Sequence, residues 1–197
     1  MDERLEALRQ RMSALEQEID ALIEERRAQF QYQIVKRRAH FEDSMRRHHA
    51  KLKLGLAAFL RRSSWASILT APFIYALIVP LALLDGLLWL YQQTCFRAYR
   101  IPRVRRADYV VIDRHRLGYL NLIERLNCAY CGYANGLLAY AVEIASRTEQ
   151  YWCPIKHAIR VAGAHKRYSA FTDHGDADTY RERLSQLREK LRHEEAD

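Results

Sequence analysis

Several signatures of well-known enzyme classes are missing from these 197 residues. There is no Gly-rich phosphate loop, no H-E-x-x-H zinc-protease motif, and no nucleophile set beside a base at a recognisable spacing. These absences argue against nucleotide hydrolysis and zinc proteolysis. No secretory leader is visible either: "MDERLEALRQ" mixes acids with bases and lacks an apolar core followed by small residues, so the N-terminus is expected to be retained. Cysteine is sparse, with only four in the chain and three of them clustered, unlike the framework of a small disulfide-rich secreted domain. A thiol or metal role in a reducing compartment fits that usage better.

Charge is missing from one long stretch. Between Arg62 and Arg97 the 34 residues "SSWASILTAPFIYALIVPLALLDGLLWLYQQTCF" carry a single charged side chain, Asp85. A run of about 18 or more nearly uncharged apolar residues predicts a membrane segment. Both flanks are basic: Arg46, Arg47, Lys51, Lys53, Arg61 and Arg62 precede the run, and Arg97, Arg100, Arg103, Arg105 and Arg106 follow it. A single span usually shows its Lys/Arg excess on the cytoplasmic flank alone. Two full spans need roughly 40 residues, which the run lacks. Pro80 near its middle, followed by Asp85-Gly86, therefore predicts a re-entrant hairpin with both termini on the cytoplasmic side of a bacterial inner membrane. The alternative is one tilted span kinked at Pro80. Trp65 and Trp89 stand where interfacial aromatics are expected. Asp85 is either a functional acid within the membrane or a group that reaches water.

Before the run, the chain from Phe30 to Arg62 is basic, with Lys36, Arg37 and Arg38 adding to the residues above, while Met45, Leu52, Leu56, Phe59 and Leu60 recur at helical spacing. The pattern predicts a basic amphipathic helix lying on anionic headgroups. A net charge of +8 would also suit nucleic acid, but bases that abut an apolar run rank lipid first. The first residues hold a heptad seam, Leu5, Leu8, Met12, Leu15, Ile19 and Leu22, that fails at Arg26 and Gln29. Its expected partner is a second copy of this chain, another helix, or the C-terminal segment, where Tyr180, Leu184, Leu187 and Leu191 repeat the pattern.

After Pro102 the stretch Tyr109 to Ile112 reads as a short strand and Arg116 to Leu126 as a helix. Then come Cys128-x2-Cys131 and Cys153-x3-His157, two pairs separated by 21 residues. Two knuckle-like pairs at such a separation are a common zinc layout, and a complete Cys3His set would be structural. Iron or an iron–sulfur cluster ranks lower, and Gly132 after Cys131 excludes c-type haem. The intervening "GLLAYAVEIASRTEQ" is helical in pattern, so the second pair can return to the first only if the chain folds back there. A redox dithiol and three inert buried thiols are the competing readings. Asp113, His115, Glu124 and Glu149 form a further candidate polar site, with His165 another candidate ligand.

The stretches "RTEQYWCPIKHA", "NCAYCGYANG" and "APFIYALIVPLALLD" resemble a family of uncharacterised bacterial membrane proteins over about residues 64–158. The resemblance implies a membrane location and no particular activity. The expected chain is thus mainly α and membrane-associated. It comprises a coiled-coil-like helix (1–42), a basic amphipathic helix with the membrane segment 63–96 (43–106), a cytoplasmic Cys/His module (107–165) and a charged C-terminal helix (166–197). Two functions follow as expectations: a membrane-anchored scaffold stiffened by zinc, or a membrane-bound metalloenzyme or thiol-redox protein acting on lipid or quinone.

Overall fold

The computed structural model describes residues 2–30, 32–35 and 38–194. Lys36 and Arg37, counted above among the basic residues, lie outside them. The fold is mainly helical, as expected, with one two-stranded sheet. It divides into two compact units, residues 1–61 with 113–125, and residues 62–112 with 126–197.

The first unit begins with α1, Asp2–Gln29. The seam residues Leu8, Met12, Leu15, Ile19 and Leu22 are all more than half exposed. The end of the segment 1–42, expected to be helical, is instead an antiparallel hairpin, β1 (Tyr32–Val35) and β2 (Arg38–Phe41), with Tyr32 opposite Phe41 and Ile34 opposite Ala39. Aromatic and β-branched side chains favour the pleated backbone here, and the bases had hidden that preference. Two short helices follow, α2 (Asp43–Lys51) and α3 (Leu56–Arg62), interrupted before Gly55.

The second unit is organised around the apolar run. Ser64 caps its first helix by accepting a hydrogen bond at Oγ from the Ser67 amide at 3.1 Å, and α4 (Trp65–Ala76) passes through a single tight turn at Leu77 into α5 (Ile78–Tyr91). A π-helical segment, Gln92–Phe96, and α6 (Arg97–Tyr99) complete one helical run of 35 residues, long and apolar enough to cross a membrane. The expected hairpin is therefore absent. Pro80 occupies the third position of α5, where a missing N–H breaks little and the chain need not reverse. Reversal comes later, at Arg100, whose left-handed conformation (φ 58°) turns the chain.

After α7 (Arg106–Tyr109) the expected strand over 109–112 is not formed. Instead the Tyr109 carbonyl and Val110 press against α8, Leu122–Trp152, at Gly136. Asn121 and Glu124 start α8 with a reciprocal capping box: Asn121 Oδ1 accepts from the Glu124 amide at 3.0 Å, and Glu124 Oε2 accepts from the Asn121 amide at 2.8 Å. The buried Pro154 ends it. The last helix, α9 (Ala177–His193), is capped by Asp176 and packs Leu187 and Leu191 inward. Arg188 donates to the Tyr151 carbonyl and Gln150 to the Leu187 carbonyl, fastening α9 to the end of α8. The core joins Phe96, Ile101, Val104, Leu137, Tyr140, Ile144 and Leu191.

A β-carbon on Gly136 would lie 2.5 Å from the Tyr109 oxygen and 2.8 Å from Val110 Cα, both backbone atoms that cannot step aside. Gly136→Ala should thus destabilise by about 1–3 kcal/mol, read as a lowered melting temperature in detergent. Gly86→Ala, where nothing lies within 4 Å, should be neutral or stabilising.

Candidate functional site

Polar groups on the apolar helix point to one side. The Tyr75 hydroxyl bonds to Asn127 Oδ1, and the Tyr130 hydroxyl donates to the Ile74 carbonyl at 2.8 Å. Farther along, the Asp85 carboxylate receives Arg106 Nε at 3.0 Å and Nη2 at 2.7 Å, and the Tyr133 hydroxyl at 3.1 Å. Gln92 is buried, accepting from the Val104 amide at 2.7 Å and donating to the Tyr140 hydroxyl, while Tyr91 meets Thr148 at 3.0 Å. Partners on α8 rise in number with those on the apolar helix, so the two run parallel and side by side. The opposite face carries Trp65, Leu69, Phe73, Val79, Leu83 and Leu87, all exposed; Trp89, one turn beyond Asp85, is 62% exposed as well.

This changes the account of the basic flank. Arg106 does not face lipid as a free cation: it forms a two-pronged ion pair with Asp85. Arg103 donates to Gln93 at 3.0 Å, and Arg105 lies 3.7 Å from Asp108. Asp85 is neither free nor reaching water alone; the pair lets an acid sit on an apolar helix without an unbalanced charge.

A second polar cluster is buried at the far end of α8. Arg147 is fully buried, with Nε on Glu143 Oε1 at 2.8 Å and Nη1 on the Pro102 carbonyl at 2.9 Å. Arg167 reaches the same Glu143 oxygen at 2.8 Å, and its other contacts are Gln150 and a two-pronged pair with Glu194. Burial alone would raise the Glu143 carboxyl, but the hydrogen bonds from Arg147 and Arg167 prevail and hold it below its ordinary 4.5. The sequence showed Glu143 and Arg147 only as an i, i+4 pair on a helix, with nothing local to mark either as buried.

The cysteine pairs do not converge. Cys128 and Cys131 lie on α8, and Cys153 follows its last residue with its amide still bonded to the Glu149 carbonyl. The helix is continuous between them, so some 25 residues separate Cys128 from Cys153, about 37 Å at the standard rise. One tetrahedral ion cannot take ligands from both ends, because Zn–S bonds are about 2.3 Å. The fold-back that the four-ligand arrangement needed is missing because α8 runs unbroken to Trp152 and Pro154 ends it only beyond Cys153. His157 stacks on Tyr168, whose hydroxyl accepts from the His157 amide at 2.6 Å. All four cysteines are free thiols, Cys131 and Cys153 exposed. Among the described residues no group of three or more His, Cys, Asp or Glu side chains is arranged to hold a metal.

The further polar candidates are likewise dispersed. Glu124 is spent on the capping box, and Asp113 precedes the 3-10 turn Arg114–Arg116 that contains His115. In the second unit Glu149 does find a histidine, His165, at 2.9 Å. No family model, curated protein or solved structure matches this chain.

Because the folded Glu143 pKa is depressed, its stabilisation is present above the unfolded value and is lost as pH falls below 4.5 through the folded value. The melting temperature should drop across that window, with exposed Asp176 and Glu189, also held low, adding to the slope. Glu143→Gln should flatten the slope and lower the melting temperature at pH 7, since it leaves Arg147 buried without its counter-ion.

Proposed function

We propose that this chain is a membrane-anchored interaction protein whose apolar helix spans a bilayer, that of the bacterial inner membrane if the family resemblance holds. The observation that carries the reading is the sidedness of that helix. Tyr75, Asp85, Tyr91 and Gln92 find partners within the protein, while large apolar side chains cover the outside. A helix facing water would be arranged the other way. Exposed Trp65 and Trp89 are 24 residues apart, about 36 Å along the axis, which sets the two rings at the borders of a hydrocarbon core about 30 Å thick. Asp85 then lies one turn inside the Trp89 border, where Arg106 also reaches it. The basic residues that remain unpaired on both flanks suit anionic headgroups.

A continuous span revises the expected topology. With no hairpin, the chain just before Trp65 and the Tyr99 end of the helix belong on opposite sides, and residues 113–125, which pack with residues 1–61, belong with the Trp65 side. Because Tyr99 packs on Tyr151 and Trp152, next to the α9 attachment, the C-terminal helix belongs with the Tyr99 end. Topology reporters fused at residues 40 and 197 should register opposite faces of the membrane. The same face for both would restore the re-entrant arrangement.

The interaction role rests on α1, whose seam is exposed along at least Leu8, Met12, Leu15, Ile19 and Leu22. A second copy of this chain, offering the same seam, is the partner that satisfies both surfaces at once. Leu15→Lys should convert an oligomer in detergent to a monomer; an unchanged mass on light scattering would remove the seam from the account.

A further inference from the structure

The first unit contains a recess that the anchoring role does not use. The second strand of the hairpin, α2 and the turn at Arg116–Gly118 surround an opening of about 600 Å³ whose lining includes His40, Asp43, Arg46, Arg47, His49 and Arg116. Its aromatic floor is fixed. The His49 ring is held edge-on between Phe41 at 4.9 Å and Tyr119 at 5.1 Å, and Tyr32 packs on Phe41 at 5.2 Å. Gly118 allows that approach, since a β-carbon there would meet His49 Cβ at 3.2 Å.

The charges around this floor do not balance. Three guanidinium groups face one carboxylate, Asp43, which pairs with Arg46 at 3.1 Å. Arg47 and Arg116 have no acidic partner among the described residues, so the recess holds two uncompensated positive charges beside two imidazoles. Guanidinium forks match the oxygens of phosphate better than they match a single point charge. A phosphate monoester carries close to two negative charges near neutral pH, whereas the diesters of ordinary phospholipids carry one. The volume is that of a small-ligand site and leaves room for an organic substituent on the phosphate.

We propose that this recess binds a phosphate monoester, with Arg47 and Arg116 as its anion ligands, Arg46 held ready by Asp43, and the aromatic floor under the organic part. The monoester belongs either to a soluble phosphorylated small molecule or to a lipid with a terminal phosphate. Every lining residue is in the first unit, so the inference does not depend on whether the apolar helix crosses a bilayer.

The test uses the full chain in detergent at low ionic strength. Calorimetric titration with glycerol 3-phosphate and inorganic phosphate forms one arm, and mixed micelles carrying phosphatidic acid or phosphatidylglycerol form the other. Saturable one-to-one binding is expected, weakened about tenfold or more by Arg47→Gln and by Arg116→Gln, as for loss of a hydrogen bond to a charged group. Lys190→Gln, on α9, should leave it unchanged. Both arginines are exposed, so circular dichroism of the variants should match the parent. Binding of the soluble phosphates identifies a soluble ligand; binding of phosphatidic acid alone identifies a lipid headgroup. Either supports the site. No saturable binding in either arm, equal binding of phosphatidylglycerol, or binding that survives both substitutions overturns it.

Discussion

A carboxylate placed on an apolar helix has to be paired, and the pairing of Asp85 with Arg106 and Tyr133 directs much of the second unit. For Arg106 to reach Asp85, 21 residues earlier, the chain must double back after the helix, which the left-handed turn at Arg100 accomplishes. The returning strand of chain then passes Gln92, which accepts from the Val104 amide, and meets α8 so closely that only glycine fits at position 136. Tyr133 fixes the rotation of α8 about its axis. That rotation in turn aims Tyr140 at Gln92 and carries Glu143 and Arg147 to the buried end, where the Pro102 carbonyl and Arg167 complete their bonds.

The arrangement exchanges one kind of burial for another. Polar groups that would be costly in an apolar medium are grouped along a single seam between two parallel helices, where donors from one meet acceptors from the other or from the returning segment. The outer surface is left free of them. A pair such as Asp85–Arg106 adds little net stability against a well-packed apolar substitute, but removal of either partner strands the other, so it specifies which face of the helix turns inward. The same reasoning holds for Arg147, fully buried and affordable only with Glu143 and a backbone carbonyl beside it.

Much of this was legible in the sequence where the signal is local. The apolar run between Arg62 and Arg97 is a helical segment long enough to cross a membrane, and the Tyr180–Leu191 pattern is a helix. Pairings between distant residues were not legible: nothing in "ALLDGLL" or "VRRADY" says that Asp85 and Arg106 meet. Pro80 was read as a reversal because proline breaks helices, yet at the start of α5 it costs little. The helix expected in "GLLAYAVEIASRTEQ" is part of α8, which also runs back through Gly132 to Leu122, so Cys128 and Cys153 stand near opposite ends; the packing that makes Gly136 useful is tertiary. The capping box in "NLIE" was a readable local signal, and it explains Glu124 better than a site role does.

The central claim is that the helix spans a bilayer with its middle at Leu77, halfway between the two tryptophans. Nitroxide labels at Leu69, Leu77 and Leu83, exposed positions on the outer face, in a chain whose four cysteines are replaced, measure this directly after reconstitution into vesicles. The account predicts collisions with oxygen to be greatest, and with a water-soluble nickel reagent least, at Leu77, with shallower depths on both sides. Depth that increases steadily from one end to the other, or ready access of the nickel reagent to Leu77, would contradict it.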